Sequence, residues 1–443
     1  MRIQLSDHFT YKKLLRFSLP SILMMIFTSM YGIVDGFFVS NFVGKSPFAA
    51  VNFIMPFLFI LGAVGSMIGT GGSALVAKTL GEKENERANS QFSLFIYAIF
   101  LVGVLFAILG FVFIRPIASF LGAEGKMLDN CVLYGRIILP ALPAFMLQFE
   151  FQSFFVTSEK PRLGLWVTVG TGVCNMLLDA LFVAVLHWGL VGAALATAVS
   201  QAAGGIVPVC YFMRKNDSLL KLGKTNYDGK AMRKACANGS SEFISNISMS
   251  TVGMLYNAQL MKYAGEDGVA AYGVLMYVNM IFLAIFIGYS IGTAPIIGYH
   301  YGAKNTDELK NMLKKSLFII GIASVLMFAC GELFARPFSN LFVRYDNELR
   351  NLTMRGFFIY SFSFIFVGIP IFGSSFFTAL NDGFVSAFIS FLRTIVFEAA
   401  SVLLLPLILG IDGIWLSMVV AEFVAMLLTI FFWILKAPKY KYF

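Results

Sequence analysis

The stretch GVCNMLLDALFV, residues 172–183, decides how this chain is read. It lies inside an apolar run from about Leu163 to Leu186, yet it carries an amide, Asn175, and a carboxylate, Asp179. Four residues apart on a helix, the two side chains project from one face. An ionisable group at membrane depth is costly to bury and marks a functional site by default. What the rest of the chain supplies to offset that cost determines the function.

Working outward, the 443 residues are 58% hydrophobic, 16% aromatic and only 13% charged, about half the charged share of an average soluble domain. Twelve apolar runs are long enough to cross about 30 Å of hydrocarbon: 14–40, 48–79, 92–114, 131–156, 163–186, 190–214, 232–261, 269–300, 313–334, 353–378, 384–408 and 413–437. All are expected to be helices, because an open strand cannot satisfy its backbone in lipid. The fold class is therefore an all-α polytopic membrane protein. The first run follows Lys12, Lys13 and Arg16, is longer than a signal-peptide core and lacks a small-residue cleavage site, so it reads as a retained span.

With the N-terminus in the cytosol, the tails and even-numbered loops hold 23 of the 33 Lys and Arg residues, the odd-numbered loops hold nine, and Arg393 lies inside a span. The positive-inside rule then places both termini in the cytosol of a multi-pass cell-membrane protein. Seven of those cations lie between Arg214 and Lys234, where attraction to anionic lipid headgroups is sufficient reason for them. They form no patch for nucleic acid. The five cysteines have neither metal-ligand spacing nor a disulfide pattern.

The central loop separates two similar halves. At a constant offset of 221 residues Gly44 meets Gly265, Gly81 and Lys83 meet Gly302 and Lys304, Arg115-Pro116 meets Arg336-Pro337, and Gly189 and Gly192 meet Gly410 and Gly413. One register over that distance marks a tandem repeat. Six spans is an even number, so the halves enter the membrane in the same direction and are related by a pseudo-two-fold axis along its normal. The expected organisation is an N-lobe of six spans (residues 1–214), a cytosolic linker (215–231) and a C-lobe of six spans (232–443), two pseudo-symmetric six-helix bundles.

Two stretches resemble enzyme motifs. GYSIG (residues 288–292) spells a nucleophile elbow, and GTGGSA (69–74) resembles a dinucleotide fingerprint. Both lie inside apolar spans without the strand, acid or base that such chemistry needs. They read as small residues for close helix packing, and no catalytic residue is expected.

The buried polar residues of the first half remain. Asp35 is flanked by Gly32 and Gly36, a spacing that lets another helix approach, and Thr197 lies in the sixth span. Together with Asn175 and Asp179 these residues make an oxygen-rich pocket able to hold a monovalent cation or share a proton. The pocket is expected to hold a proton when empty, because burial and a second carboxylate disfavour the ionised form, whereas Na+ favours it. In the second half the same offset gives Tyr256, Val396 and Ala400 in place of Asp35, Asn175 and Asp179. Its buried charges are instead Glu242, Arg393, Glu398 and Glu422, with Arg393 and Glu398 at a spacing that points them to different helix faces. Glu242 is a candidate C-lobe contact for substrate or ion; Glu150, in the fourth span, has a weaker claim.

On these residues the chain resembles the multidrug and toxic compound extrusion (MATE) family. The resemblance is carried by FFVTSEKPRLGLWVTVGTGVCNMLLDALFV (154–183), GLVGAALATAVSQ (189–201) and TLGEKENERA (79–88), and it spans essentially the whole chain. It implies export of amphiphilic, often cationic, small molecules in exchange for Na+ or H+ by alternating access, with no other cofactor and with membrane lipids as surroundings. Asp35, Asn175, Asp179 and Thr197 fall on the N-lobe cation site of prokaryotic members that have one, and Pro20 on a first-helix proline linked to bending. The tenth span has no acidic residue, whereas members with a C-lobe sodium site use one there. A flippase for lipid-linked precursors or polysaccharides, from the same superfamily, is the alternative; it would be expected to show a more basic cleft and often fourteen spans. The chain is expected to act as a monomer.

Overall fold

The structure, a computed structural model, describes residues 3–343 and 346–443. Among the described residues all regular structure is helical. The first half comprises α1 (Tyr11–Phe38), α2 (Lys45–Gly81), α3 (Asn85–Phe120), α4 (Gly125–Ile138), α5 (Leu142–Thr157), α6 (Pro161–Asp179) and α7 (Gly189–Met213). The second comprises α8 (Gly229–Gly302), α9 (Thr306–Val343), α10 (Asn347–Tyr360), α11 (Ser363–Ala379), α12 (Gly383–Phe391), α13 (Glu398–Leu404), α14 (Pro406–Leu409) and α15 (Ile411–Tyr440).

Ten of the helical segments are long and apolar enough to span a bilayer, and α10 with α11, bent by 51° at their junction, makes an eleventh span. The twelfth is hidden in α8. Its 74 residues would measure about 110 Å if straight, but Gly265, at φ 62° and ψ −149°, breaks the helix into two spans. A side chain at that φ would be strained, which is why glycine occupies it. Local chemistry sets other boundaries. The Asp228 side chain accepts from the backbone N–H groups of Lys230 and Ala231, both at 3.0 Å, to start α8. Asp346 does the same for Glu348 and Leu349 at the start of α10. Pro140 and Pro143 fall where α4 passes through a short 3₁₀ turn into α5, within one span.

The repeat reappears in the backbone. Lys83 and Lys304, 221 apart, both have positive φ (65° and 56°), as do Gly189 and Gly410 (58° and 60°). It reappears again where the halves touch. A β-carbon on Gly81 would stand 2.0 Å from the Tyr299 carbonyl oxygen, and one on Gly302 would stand 2.0 Å from the Lys78 carbonyl oxygen. Tyr299 is the offset partner of Lys78 as Gly302 is of Gly81, so the two contacts are one contact seen from both sides of the pseudo-two-fold. Gly71 against Gly239 and Gly292 against Ser18 form a second such set. The resemblances to enzyme motifs dissolve here: Gly69 lies on Glu150, Gly72 on Phe95, and Gly288 on Ser21 and Ile22. Gly69 and Gly288 admit neighbouring backbones and Gly72 admits the Phe95 ring, the close approach that substitutes for hydrophobic driving force between helices in lipid.

Buried apolar side chains gather into two cores. One draws on residues between Val39 and Ala235, the other chiefly on residues between Val252 and Tyr442. Leu5, Phe9, Leu14 and Phe17 join the second core, so the N-terminal segment crosses to the other half. Backbone hydrogen bonds hold it at both ends of that crossing: Leu5 N–H donates to Glu159 Oε1 at 2.8 Å, and Phe9 N–H to Glu308 Oε1 at 2.9 Å. His8 Nδ1 lies 2.6 Å from Glu308 Oε2.

At the opposite end of the helices the halves diverge. A cavity of about 850 Å³ opens there between α2 (Asn52 to Leu61), α3 (Phe106 to Leu121) and α8 at Ile247, Thr251 and Met254. Its lining is almost wholly apolar.

Candidate functional site

Four helices of the first half bring polar groups to one place in their cavity-side halves. Asp35 lies near the end of α1, one turn before the helix widens into π geometry at Val39–Val43. Asp179 is the last residue of α6, immediately before a π segment at Ala180–Val185. A π segment shifts the backbone hydrogen-bond register and is frequent at functional sites. Thr197, two turns into α7, donates from Oγ1 to Asp35 Oδ1 at 3.5 Å. Asp35 and Asp179 are close enough to interact directly.

Of the four residues expected to share a pocket, Asp35, Asp179 and Thr197 meet and Asn175 lies one turn before Asp179 on α6; all are buried, Asp35 8% exposed, Asn175 2%, Asp179 0% and Thr197 7%. Three of their oxygens are unsatisfied. Among the described residues, Asn175 Oδ1 and both carboxylate oxygens of Asp179 have no hydrogen-bond partner. Leaving such atoms buried and unpaired costs about 1–3 kcal/mol each, more for a charge. An all-oxygen donor set with orphaned acceptors suits a hard cation such as Na+, and a proton on either carboxylate relieves the same deficit. Among the described residues no cluster of three or more His, Cys, Asp or Glu side chains has the form of a transition-metal site.

Tyr134 and Tyr31 also belong to the pocket and escaped the sequence reading. Tyr134, on α4, is fully buried with an unpartnered hydroxyl, and its phenol interacts electrostatically with Asp35 and Asp179. Tyr31 stands one turn before Asp35 and feels its charge. The i, i+4 spacing from Asp35 was a usable signal for Tyr31; nothing about Tyr134 distinguishes it from other membrane tyrosines.

Pro20 lies within a continuous α1, buried beside Ser18, Ser21 and Ile22 where that helix meets Gly288 and Gly292. It is fifteen residues from Asp35, about 22 Å along the helix, so it belongs to the contact between halves rather than to the pocket. Proline leaves the carbonyl one turn earlier without its helical partner. The contact expected from Gly32 and Gly36 lies outside the described side chains. Glu150 is fully buried with both oxygens unpartnered, set against Gly69.

In the second half, Arg393 makes a bidentate pair with Glu422 of α15, its Nε and Nη2 donating at 2.8–3.0 Å. Glu398 and Glu242 both act electrostatically on Arg393. Arg393 lies within a π segment, Leu392–Phe397, with Glu398 directly after it. The wider π turn brings residues five apart closer in azimuth than an α-helix does, which the sequence reading of that spacing lacked. Glu242 is partly exposed on α8. None of the site residues expected from sequence lines the 850 Å³ cavity.

A family model described as MatE matches residues 20–181 and again 243–404. The multidrug export protein MepA of Staphylococcus haemolyticus (strain JCSC1435) is 27% identical over 364 residues, covering 81% of this chain and 80% of the relative. The MepA of Staphylococcus aureus (strain MRSA252) is 24% identical over 421 residues, covering 93% and 91%. The crystal structure of MATE in complex with MaL6 matches the fold with a TM-score of 0.93 at 21% identity, over 98% of each chain.

Proposed function

Since the chain belongs to the MatE family, a family of transporters rather than enzymes, we propose that it is a secondary active multidrug exporter that exchanges amphiphilic, preferentially cationic compounds for Na+ or H+. The observation that carries this reading is the buried pair Asp35 and Asp179 beside the orphaned oxygen of Asn175, with no Lys or Arg paired to either carboxylate among the described residues. MepA, an export protein by its name, supports the direction and breadth of transport.

In this reading residues 1–214 form the N-lobe, 232–443 the C-lobe and 215–231 the cytosolic linker. Both termini lie in the cytosol, as the loop charges favour. The reciprocal glycine contacts then close the cytosolic side, and the cavity opens outward. Asp35 and Asp179 hold the coupling ion, Asn175 and Thr197 supply neutral oxygens, and the lobe changes shape because the ion binds the two conformations unequally. Alternation requires the contacts at Gly81, Gly302, Gly71 and Gly239 to separate, along with the N-terminal segment that bridges Glu159 and Glu308. Pro20, in the helix that connects pocket and contact, is placed to bend between them.

The test is export from proteoliposomes with the Na+ and H+ gradients imposed separately. Export driven by one of them, inward ion for outward drug, is expected. Transport confined to anionic lipid-linked sugars would overturn the reading in favour of a flippase.

A further inference from the structure

Two side chains that cross between the halves stand at equivalent turns. At the α5–α6 turn the N–H groups of Ser158, Glu159 and Lys160 donate to the carbonyls of Phe154, Val156 and Phe155 at 2.8–3.0 Å. At the α11–α12 turn those of Leu380, Asn381 and Asp382 donate to Phe376, Thr378 and Phe377 at 2.9–3.0 Å. Each residue of the second set lies 222 positions after its counterpart, one more than the repeat offset. The middle residue of both turns is left-handed, Glu159 at φ 61° and Asn381 at φ 59°. Glycine adopts that backbone freely and asparagine tolerates it, whereas glutamate is strained there. Both turns therefore keep a side chain where the backbone alone would favour none.

The contacts of those side chains supply the reason. Glu159 Oε1, in the first half, accepts the Leu5 N–H at 2.8 Å. Leu5 is fully buried in the core of the second half. Phe9, four residues on, is fastened to α9: its N–H donates to Glu308 Oε1 at 2.9 Å, and its carbonyl accepts from Asn311 Nδ2 at 3.0 Å and Lys315 Nζ at 2.6 Å. A hold on Leu5 is thus a hold on the second half. Asn381 reaches the other way. Its Oδ1 accepts from Asn238 Nδ2 in its own half at 2.8 Å, and its Nδ2 donates to the Ala74 carbonyl of α2, in the first half, at 3.3 Å. That carbonyl lies in the contact between halves, since a β-carbon on Gly298 of α8 would stand 3.4 Å from it.

We propose that Glu159 and Asn381 are paired clasps on the cytosolic side, one sent from each half to the other, which hold the seam shut while the cavity is open and let go when the seam parts. The strain at Glu159 is retained for the bridge and not for the turn. This deepens the export reading and rests on it for the side the seam faces and for the need to open it.

Glycine tests the clasps, because it keeps a left-handed turn and deletes only the bridge. The reporter is Cys236, whose neighbour Ala235 sets its carbonyl oxygen 2.0 Å from where a β-carbon on Gly71 would stand. Purified full-length protein in detergent is labelled with a water-soluble maleimide, and the rate at each cysteine is read by peptide mass spectrometry. Loss of one buried hydrogen bond corresponds to about a tenfold change in an opening equilibrium, so Glu159→Gly and Asn381→Gly should each label Cys236 about tenfold faster than wild type, and the double variant faster than either. Labelling of Cys330, on α9, should stay as in wild type and report an intact fold. Residues that serve only the turn would give the opposite result: glycine would relieve strain and leave Cys236 labelling unchanged or slower, which overturns the clasps. That outcome beside gradient-driven export by wild type leaves the export reading standing, whereas faster labelling in the variants of a protein that neither gradient drives sinks the export reading alone.

Discussion

The two lobes bury carboxylates in corresponding places but neutralise them differently. In the first, Asp35 and Asp179 have oxygens, a hydroxyl and phenols around them and, among the described residues, no basic partner. In the second, Glu422 is held by the forked guanidinium of Arg393. A carboxylate with a covalently attached counter-charge has no need to exchange it. One without such a partner must take a mobile cation, and the occupancy of that cation can then depend on a gradient. In the proposed reading this difference places coupling in the first lobe, although the helices of both arise from one repeated unit.

The sharpest way to break this contrast is to remove the mobile ion's counter-charge. Asp179→Asn is expected to reduce gradient-driven export to that of empty vesicles, with protein reaching the membrane in normal amounts. Normal coupling stoichiometry in a folded Asp179→Asn protein would return this residue to a role in helix packing and dissolve the assignment.

The second lobe should respond in stability rather than in coupling. Glu422→Gln leaves Arg393, whose side chain is 12% exposed, without its partner; breaking a buried pair in this way costs about 3–5 kcal/mol. Thermal unfolding in detergent should show a clear fall in midpoint, and replacing both partners together by apolar residues should recover much of it. A Glu422→Gln protein as stable as wild type but uncoupled would mean that the C-lobe pair carries the exchange.

Asn175→Ala tests the neutral ligand beside the charge. It removes one buried oxygen and keeps both carboxylates, so ion affinity should weaken by about 1–3 kcal/mol. A steeper ion gradient should rescue export in Asn175→Ala and fail to rescue Asp179→Asn. Identical behaviour of the two variants would show that the amide and the carboxylate act as one unit.

How much of this was legible in the chain follows from the physics of each feature. Span lengths were legible because hydrocarbon thickness sets them, and even the break in α8 was announced by Gly265 at the repeat offset from Gly44. The meeting of Asp35, Asp179 and Thr197 was legible because buried oxygens in lipid must find one another. Tyr134 was not, since a tyrosine in an apolar run carries no charge or spacing to single it out. The shared neighbourhood of Arg393 and Glu398 was hidden for another reason: α-helical spacing predicts divergent faces, and only the local π segment reconciles them. The crossing of Leu5 and Phe9 to the other half was equally invisible, because backbone donors to Glu159 and Glu308 leave no side-chain pattern.

The smallest expected effect belongs to Glu242→Gln. Glu242 lies on α8, partly exposed, and contributes to the potential at Arg393 without a direct pair. It makes no direct ion pair among the described residues, so less is at stake than in the hydrogen-bonded pair of Arg393 and Glu422. Its loss removes one of the two unpaired carboxylates of the second lobe and leaves Glu398 in place. The affinity for a cationic substrate should therefore fall only slightly, while the ratio of ions taken up to substrate released stays as in wild type. Measuring both quantities in the same vesicles separates the lobes cleanly: a change in stoichiometry would place coupling in the C-lobe as well, and a loss equal to that of Asp179→Asn would erase the contrast between a fixed and a mobile counter-charge.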